Sequence, residues 1–390
     1  VGCGIVARQG KDCSYDWIVW IYQRRRIMGT SNSYYIPLIC TRAGEMRALR
    51  DILRTDTDIS RLMPLFEVPP IPWDFESGEA SATYVEQASK TALSIKNNWD
   101  KSKPAFLDAV DVLTEGTGET KTVVTELFED ENLSGYSLIP VLHGISLEDE
   151  PYLSVKKLVD SGLASAVCLR VTADVWNGLI SNNELKKFIT GLGVISSNCY
   201  IILDLGNDVG DTSYIALQSI LPTLHRESPD SNFSILATSI PDSIDKGIDE
   251  ESRVEWINWI PIRQSMGRDG IVVSFGDYGT VGDSDAPLID PRYMFISGKF
   301  KYTTDDSWLL GRGALFKGNK KNPGIGGKAI ENVLLSIRAN KAFLQNHCET
   351  DKWINDVANK VSTSFGNPTS WIQHSMVHHI TKVLEQISLY

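Results

Sequence analysis

The sequence predicts an α/β protein built as a (β/α)8 TIM-like barrel with a C-terminal, mainly helical module. Eight short runs dense in β-branched and aromatic residues recur along the chain, and each is followed by a helix-like stretch. Nearly every run closes on a polar or charged residue, which marks one end of the barrel as the place for chemistry.

The first run, residues 34–41, precedes 44–53, where Met46, Leu49 and Leu53 recur at helical spacing. The second, 62–67, precedes the longer apolar stripe Val85, Ala88, Ala92, Ile95 and Trp99. Runs 105–111, 137–143 and 166–171 are followed by helical patterns around Leu127, Leu158 and Phe188, and run 199–204 by Ile215, Ile220 and Leu224. Run 233–239 leads into a seventh helix over 253–266, which Pro261 should break or kink. Run 271–277 is the eighth. Pro37, Pro64 and Pro140 stand against this scheme, because proline lacks the N–H a ladder needs; each is expected near the beginning of its strand.

The 390 residues exceed the roughly 250 of one barrel, so a further module of about 100 residues is expected. Alternation stops near Asp290, which assigns 34–290 to the barrel and 291–390 to a module packed on it. In that module 291–313 reads as irregular or hairpin-like, and 318–327 is glycine-rich. Helices follow over 327–345, 350–362 and 368–387, the last opened by Asn367 as N-cap and Pro368 at the first helical position. Residues 1–33 are expected to be an extension, disordered or a non-native start upstream of Met28. Its apolar stretch 17–22 is too short to span a bilayer, and Arg24, Arg25 and Arg26 follow it where a secretory signal places charge before it.

With 42% hydrophobic and 22% charged residues the chain reads as globular. A net charge of −11 excludes general duplex nucleic-acid binding, because phosphates reward a basic surface; the basic runs 24–26 and 317–321 read as solvated surface. Six scattered cysteines without a CxxC pair suggest neither a zinc knuckle nor a disulfide framework. Free thiols fit a cytoplasmic protein with no membrane association.

Catalytic groups of this fold sit at C-terminal strand ends. In order these ends hold Arg42 and Glu45, Glu67, Asp108 and Asp111, His143, Arg170, Asp204, Ser239, and Asp277 with Tyr278. Local turns offer a plainer role for Asp204 and Asp277. Three readings of the ring stay open. Glu67, Asp108 and Asp204, with His143, could hold a divalent cation; two carboxylates could act as acid and base; or Arg42 and Arg170 could clamp a phosphate or carboxylate. No strand ends on lysine, and the chain carries neither a Gly-Xaa-Ser-Xaa-Gly elbow nor a phosphate-binding loop, which disfavours Schiff-base enzymes, standard serine hydrolases and nucleotide-triphosphate motors.

Gly311 and Gly313 flank Arg312 and make it approachable by a ligand or by backbone. His374, His378 and His379 invite a metal reading. Rotation by about 100° per residue instead puts His379 at the edge of the apolar stripe, with His374 and His378 facing solvent or another surface.

Taken together, Tyr35-Ile36-Pro37-Leu38, Pro64-Leu65-Phe66-Glu67, Phe275-Gly276-Asp277-Tyr278, Gly311-Arg312-Gly313, Gly366-Asn367-Pro368-Thr369 and His378-His379 resemble the beta protein family of tailed phages and bacteria, over about 34–390. The resemblance implies a phage or defence-related setting and transfers no established catalytic residue. It groups Asp277, Arg312 and His378 into one shared feature. The expectation is a hydrolase acting on a phosphorylated or other anionic small molecule or nucleotide, with a divalent cation as an optional cofactor. Glu67, Asp108, His143, Asp204 and Asp277 are its catalytic candidates, and Arg42, Arg170, Ser239, Tyr278, Arg312 and His378 its binding candidates. The alternative is a non-catalytic binding or sensing protein, with a protein partner in phage–host conflict.

Overall fold

Eight parallel strands close into a barrel, and they are the eight runs read from the sequence. The computed structural model describes residues 33–109, 122–173, 175–176, 183–282, 290 and 292–390. Residues 1–32 of the extension 1–33, and Asp111, lie outside them. In chain order the elements are β1 (Tyr35–Cys40), α1 (Ala43–Ile52), β2 (Leu65–Glu67), the two-residue strands β3 (Trp73–Asp74) and β4 (Glu79–Ala80), α2 (Tyr84–Asn98), β5 (Ala105–Asp108), α3 (Val123–Glu129), β6 (Leu138–His143), α4 (Glu150–Asp160), β7 (Val167–Thr172), α5 (Glu184–Leu192), β8 (Cys199–Gly206) and α6 (Asp211–Glu227). Then come β9 (Asn232–Ala237), β10 (Gly247–Ser252), α7 (Val254–Arg268), β11 (Val273–Asp277), β12 (Ile296–Thr303), β13 (Ser307–Lys317), α8 (Glu331–Ala339), α9 (Glu349–Ala358) and α10 (Pro368–Ile387). The barrel order is β1-β11-β9-β8-β7-β6-β5-β2.

Period-2 alternation sorts the strand residues. Phe66, Leu107, Leu142, Leu169 and Phe275 face outward into the core shared with the helices. Leu65, Phe106, Val141, Cys168 and Ile202 fill the lumen. Each buried side chain of this kind contributes about 1.5–3 kcal/mol relative to exposure.

The prolines are accommodated by register, and two of them lie inside their strands. Pro37, third in β1, falls between the bridge Tyr35↔Leu62 and the pair Leu38↔Leu65, where no ladder rung is needed. Pro140, third in β6, sits at a changeover, since pairing with β5 ends at Leu107↔Pro140 and pairing with β7 begins at Val141↔Cys168. Pro64 precedes β2. Pro261 does not break α7. The carbonyl it strips of a partner belongs to Ile257, an exposed residue.

Helix α10 completes the barrel. It packs on α1 and β1, and its Met376, Ile380 and Val383 belong to the same apolar core as the outer barrel wall. The eighth helix of the barrel therefore comes from the far end of the stretch 291–390. Between β11 and α10 the chain builds β12 and β13, which join β10 in an antiparallel sheet, and then α8 and α9. Asn367 accepts from Ser370 N and Pro368 opens the helix, as its sequence predicts. Residues 33–390 form one compact unit. Among the described residues no helix is long and apolar enough to cross a membrane.

Candidate active site

Parallel register sets the ends of adjacent strands side by side. Glu67 pairs with Asp108, His143 with Arg170, and Thr172 with Asp204. Glu67, Asp108, His143, Arg170 and Asp204 share the inward parity of the lumen residues, and Tyr278, one residue beyond β11, joins them.

They converge on the Arg170 guanidinium. Its Nε donates to Asp204 Oδ2 at 2.7 Å, and its Nη1 donates to Asp108 Oδ2 at 3.0 Å and Glu67 Oε2 at 3.1 Å. Nη2 reaches Tyr278 Oη at 3.3 Å, and the tyrosine hydroxyl donates to Asp204 at 2.8 Å. Asp108 Oδ2 also lies 2.7 Å from His143 Nε2. Burial alone would raise the Asp108 pKa, but His143 and Arg170 overturn that and hold its carboxyl well below the usual range. Asp108 is therefore an anion that fixes the imidazole.

Glu67, Asp108 and Asp204, the candidates of the cation reading, stand around Arg170 in this geometry. The three carboxylates surround the guanidinium, so the position a metal would need is filled by Arg170. Arg170 itself is engaged by three carboxylates rather than presented to a ligand anion. Arg42, the N-cap residue of α1, is exposed at the rim.

Four other candidates lie elsewhere. Asp277 points outward, because it follows Val273 and Phe275 on the alternate face. It accepts from Tyr35 Oη at 2.9 Å, Gly279 N at 2.9 Å and His379 Nε2 at 2.9 Å, and so ties β11 and β1 to α10. His379 Nδ1 then accepts from the Thr303 hydroxyl at 2.8 Å. Ser239, outward on β9's parity, lies beside buried Glu255. Arg312 is on β13, where it donates to the Ile244 carbonyl at 3.3 Å.

The glycines around Arg312 admit backbone rather than a ligand. A methyl at Gly313 would strike the Ala329 carbonyl, and one at Gly311 would strike Val333. Gly313→Ala is expected to lower stability by about 1–3 kcal/mol through overpacking, measured by urea unfolding; an unchanged midpoint would contradict this.

His378 is fully buried between α10, β12 and α9, so it faces the second surface rather than solvent. Asp277, Arg312 and His378 thus do not form one cluster. His374 stacks on Trp353 with ring centroids 4.1 Å apart.

Glu45, among the polar strand ends in the sequence, is set apart by its burial. It is buried under the rim, accepts from Cys40 N at 2.8 Å, and burial pushes its pKa up to about 8 against the opposing Cys40 hydrogen bond and Arg42. Its place just after β1 was the available sequence signal; its neutrality at pH 7 depends on burial.

The class defined here is a (β/α)8 barrel with an arginine-centred carboxylate and histidine cluster at its C-terminal strand ends. The chain belongs to the Beta protein family, whose model matches residues 35–385. No curated protein and no solved structure matches it.

Proposed function

We propose that the chain is a hydrolase in which His143, held by Asp108, moves the proton, and that its substrate is a phosphorylated or other anionic small molecule or nucleotide. One observation carries this reading. His143 keeps 35% of its side chain exposed while sharing a 2.7 Å contact with an Asp108 that is 3% exposed. A buried anion behind an accessible imidazole orients the ring and stabilises the imidazolium formed when it takes a proton from water. Arg170 is the positioning residue, since it locks Asp108, Asp204 and Glu67 in place. Glu67, with 26% of its side chain exposed, is the second group able to meet substrate.

Among the described residues, three carboxylates around one guanidinium leave the cluster negative, so a bare phosphate is repelled. The anion therefore enters with a divalent counter-ion, and the exposed Arg42 gives it a positive contact at the rim. Support for a phage or phage-defence setting comes from family membership, and the unpaired Cys40, Cys168, Cys199 and Cys348 support a reducing cytoplasm.

The test is turnover of a panel of phosphomonoesters and nucleotides with magnesium or manganese. His143→Gln and Asp108→Asn should each lower kcat by about 10²–10⁴ while the far-UV CD spectrum is unchanged. Equal turnover in wild type and His143→Gln would overturn the assignment. A second reading, a binding barrel without turnover, is favoured by the way the buried Arg170, Asp108, Asp204 and Tyr278 hydrogen-bond one another. It predicts that the same panel binds by calorimetry and that no member is hydrolysed.

A further inference from the structure

Away from the barrel mouth, three electron-pair donors meet where α9 begins beside β12 and α10. Cys348 Sγ, an Asp351 carboxylate oxygen and a His378 ring nitrogen lie within 4.8 Å of one another. Asp351 and His378 are fully buried. Cys348 is the N-cap residue of α9 and is partly exposed.

Hydrogen bonding fixes the His378 tautomer. Nε2 is 2.8 Å from the Thr303 carbonyl oxygen, which can only accept, so Nε2 carries the hydrogen. Nδ1 of the neutral ring then presents a lone pair 3.5 Å from Asp351 Oδ1 and 3.6 Å from Cys348 Sγ. Asp351 is already an acceptor, from Tyr302 Oη at 2.8 Å and from Cys348 N at 2.9 Å. A thiol hydrogen bridging sulfur and nitrogen engages that lone pair but leaves Asp351 Oδ1 3.5 Å from Nδ1 with no hydrogen between them. A metal ion resolves all three contacts at once.

The S···N and N···O distances fit that solution. A tetrahedral zinc with Zn–S of about 2.3 Å and Zn–N of about 2.05 Å has an S···N edge of about 3.6 Å and an N···O edge of about 3.3 Å. A backbone carbonyl accepting from the remote ring nitrogen is the usual outer support of a metal-bound histidine. His347 lies alongside, its ring centroid 5.6 Å from that of His378, and its Nε2 is buried with no hydrogen-bond partner.

We propose that Cys348, Asp351 and His378 bind one zinc-class divalent ion, with His347 alongside but outside the ligand cluster. The ion ties the start of α9 to α10, the helix that closes the barrel, and its role is structural. It is independent of the chemistry assigned to the mouth.

The experiment uses the full chain, metal analysis after purification, and cobalt(II) titration of chelator-treated protein. About one equivalent of zinc is expected, with a thiolate-to-cobalt charge-transfer band and a Tm that chelator lowers and zinc restores. Cys348→Ser, at a partly exposed position, should keep the CD spectrum and lose the band; His378→Gln should weaken cobalt binding at least tenfold. A folded wild type with only trace metal and no thiolate band would overturn the site, as would a band that survives in Cys348→Ser.

Discussion

Arg170→Met is expected to cost about 3–5 kcal/mol of stability at pH 7, because it removes the guanidinium that Glu67 and the buried Asp108 and Asp204 share. Methionine has a similar volume and adds little cavity cost, so the loss reports charge rather than packing. The pH dependence gives a second reading. In wild type the folded-state pKa of Asp108 is depressed, so its contribution is present above the unfolded value near 4 and is lost as pH falls through the lower folded one. In the variant the buried carboxylates that lose Arg170 are driven towards protonation, so their penalty shrinks in mild acid. Guanidinium unfolding at pH 7 and pH 5 should show the gap between variant and wild type narrowing. A gap below about 1 kcal/mol at pH 7 would mean that the cluster is held together by something other than Arg170.

Glu45→Gln should act in the opposite direction. With a folded pKa of about 8 against an unfolded value near 4.5, Glu45 keeps a proton in the native state that the unfolded chain has released. Its contribution is fully present below the unfolded pKa and is lost as pH rises through the folded one. The slope reaches about 1.4 kcal/mol per pH unit, or on the order of 4 kcal/mol across the window. Glutamine retains an acceptor for Cys40 N and does not ionise. The variant should therefore be the more stable at pH 8.5 and nearly equal to wild type at pH 5. Parallel stability profiles for the two chains would sink the assignment.

Both variants concern groups at strand ends, which explains how much of the site could be read in advance. Glu67, Asp108, His143 and Arg170 were legible because each falls on the inward parity of an identifiable strand and parallel register leaves little freedom in where its end lies. Asp277 misled for the same reason, since it closes its strand on the outward parity and the inward residue is its neighbour Tyr278. Ser239 fails likewise. Arg312 and His378 misled because a short motif carries no information about which sheet or helix will pack on it. Cys348 and Asp351 gave little signal, as a cap and its third residue, until α10 was brought against them.

By itself the sequence determined the eight strands, the helices between them and the polar strand ends, because hydrophobic periodicity and capping are local. It also marked the start of α10 through Asn367 and Pro368. Only the tertiary structure decided that α10 is the barrel's eighth helix, that Arg170 is where three carboxylates meet, and that His378 faces Cys348 and Asp351. These outcomes depend on which surfaces bury together and on charges from distant strands sharing one low-dielectric space, and neither quantity is carried by any single stretch of chain.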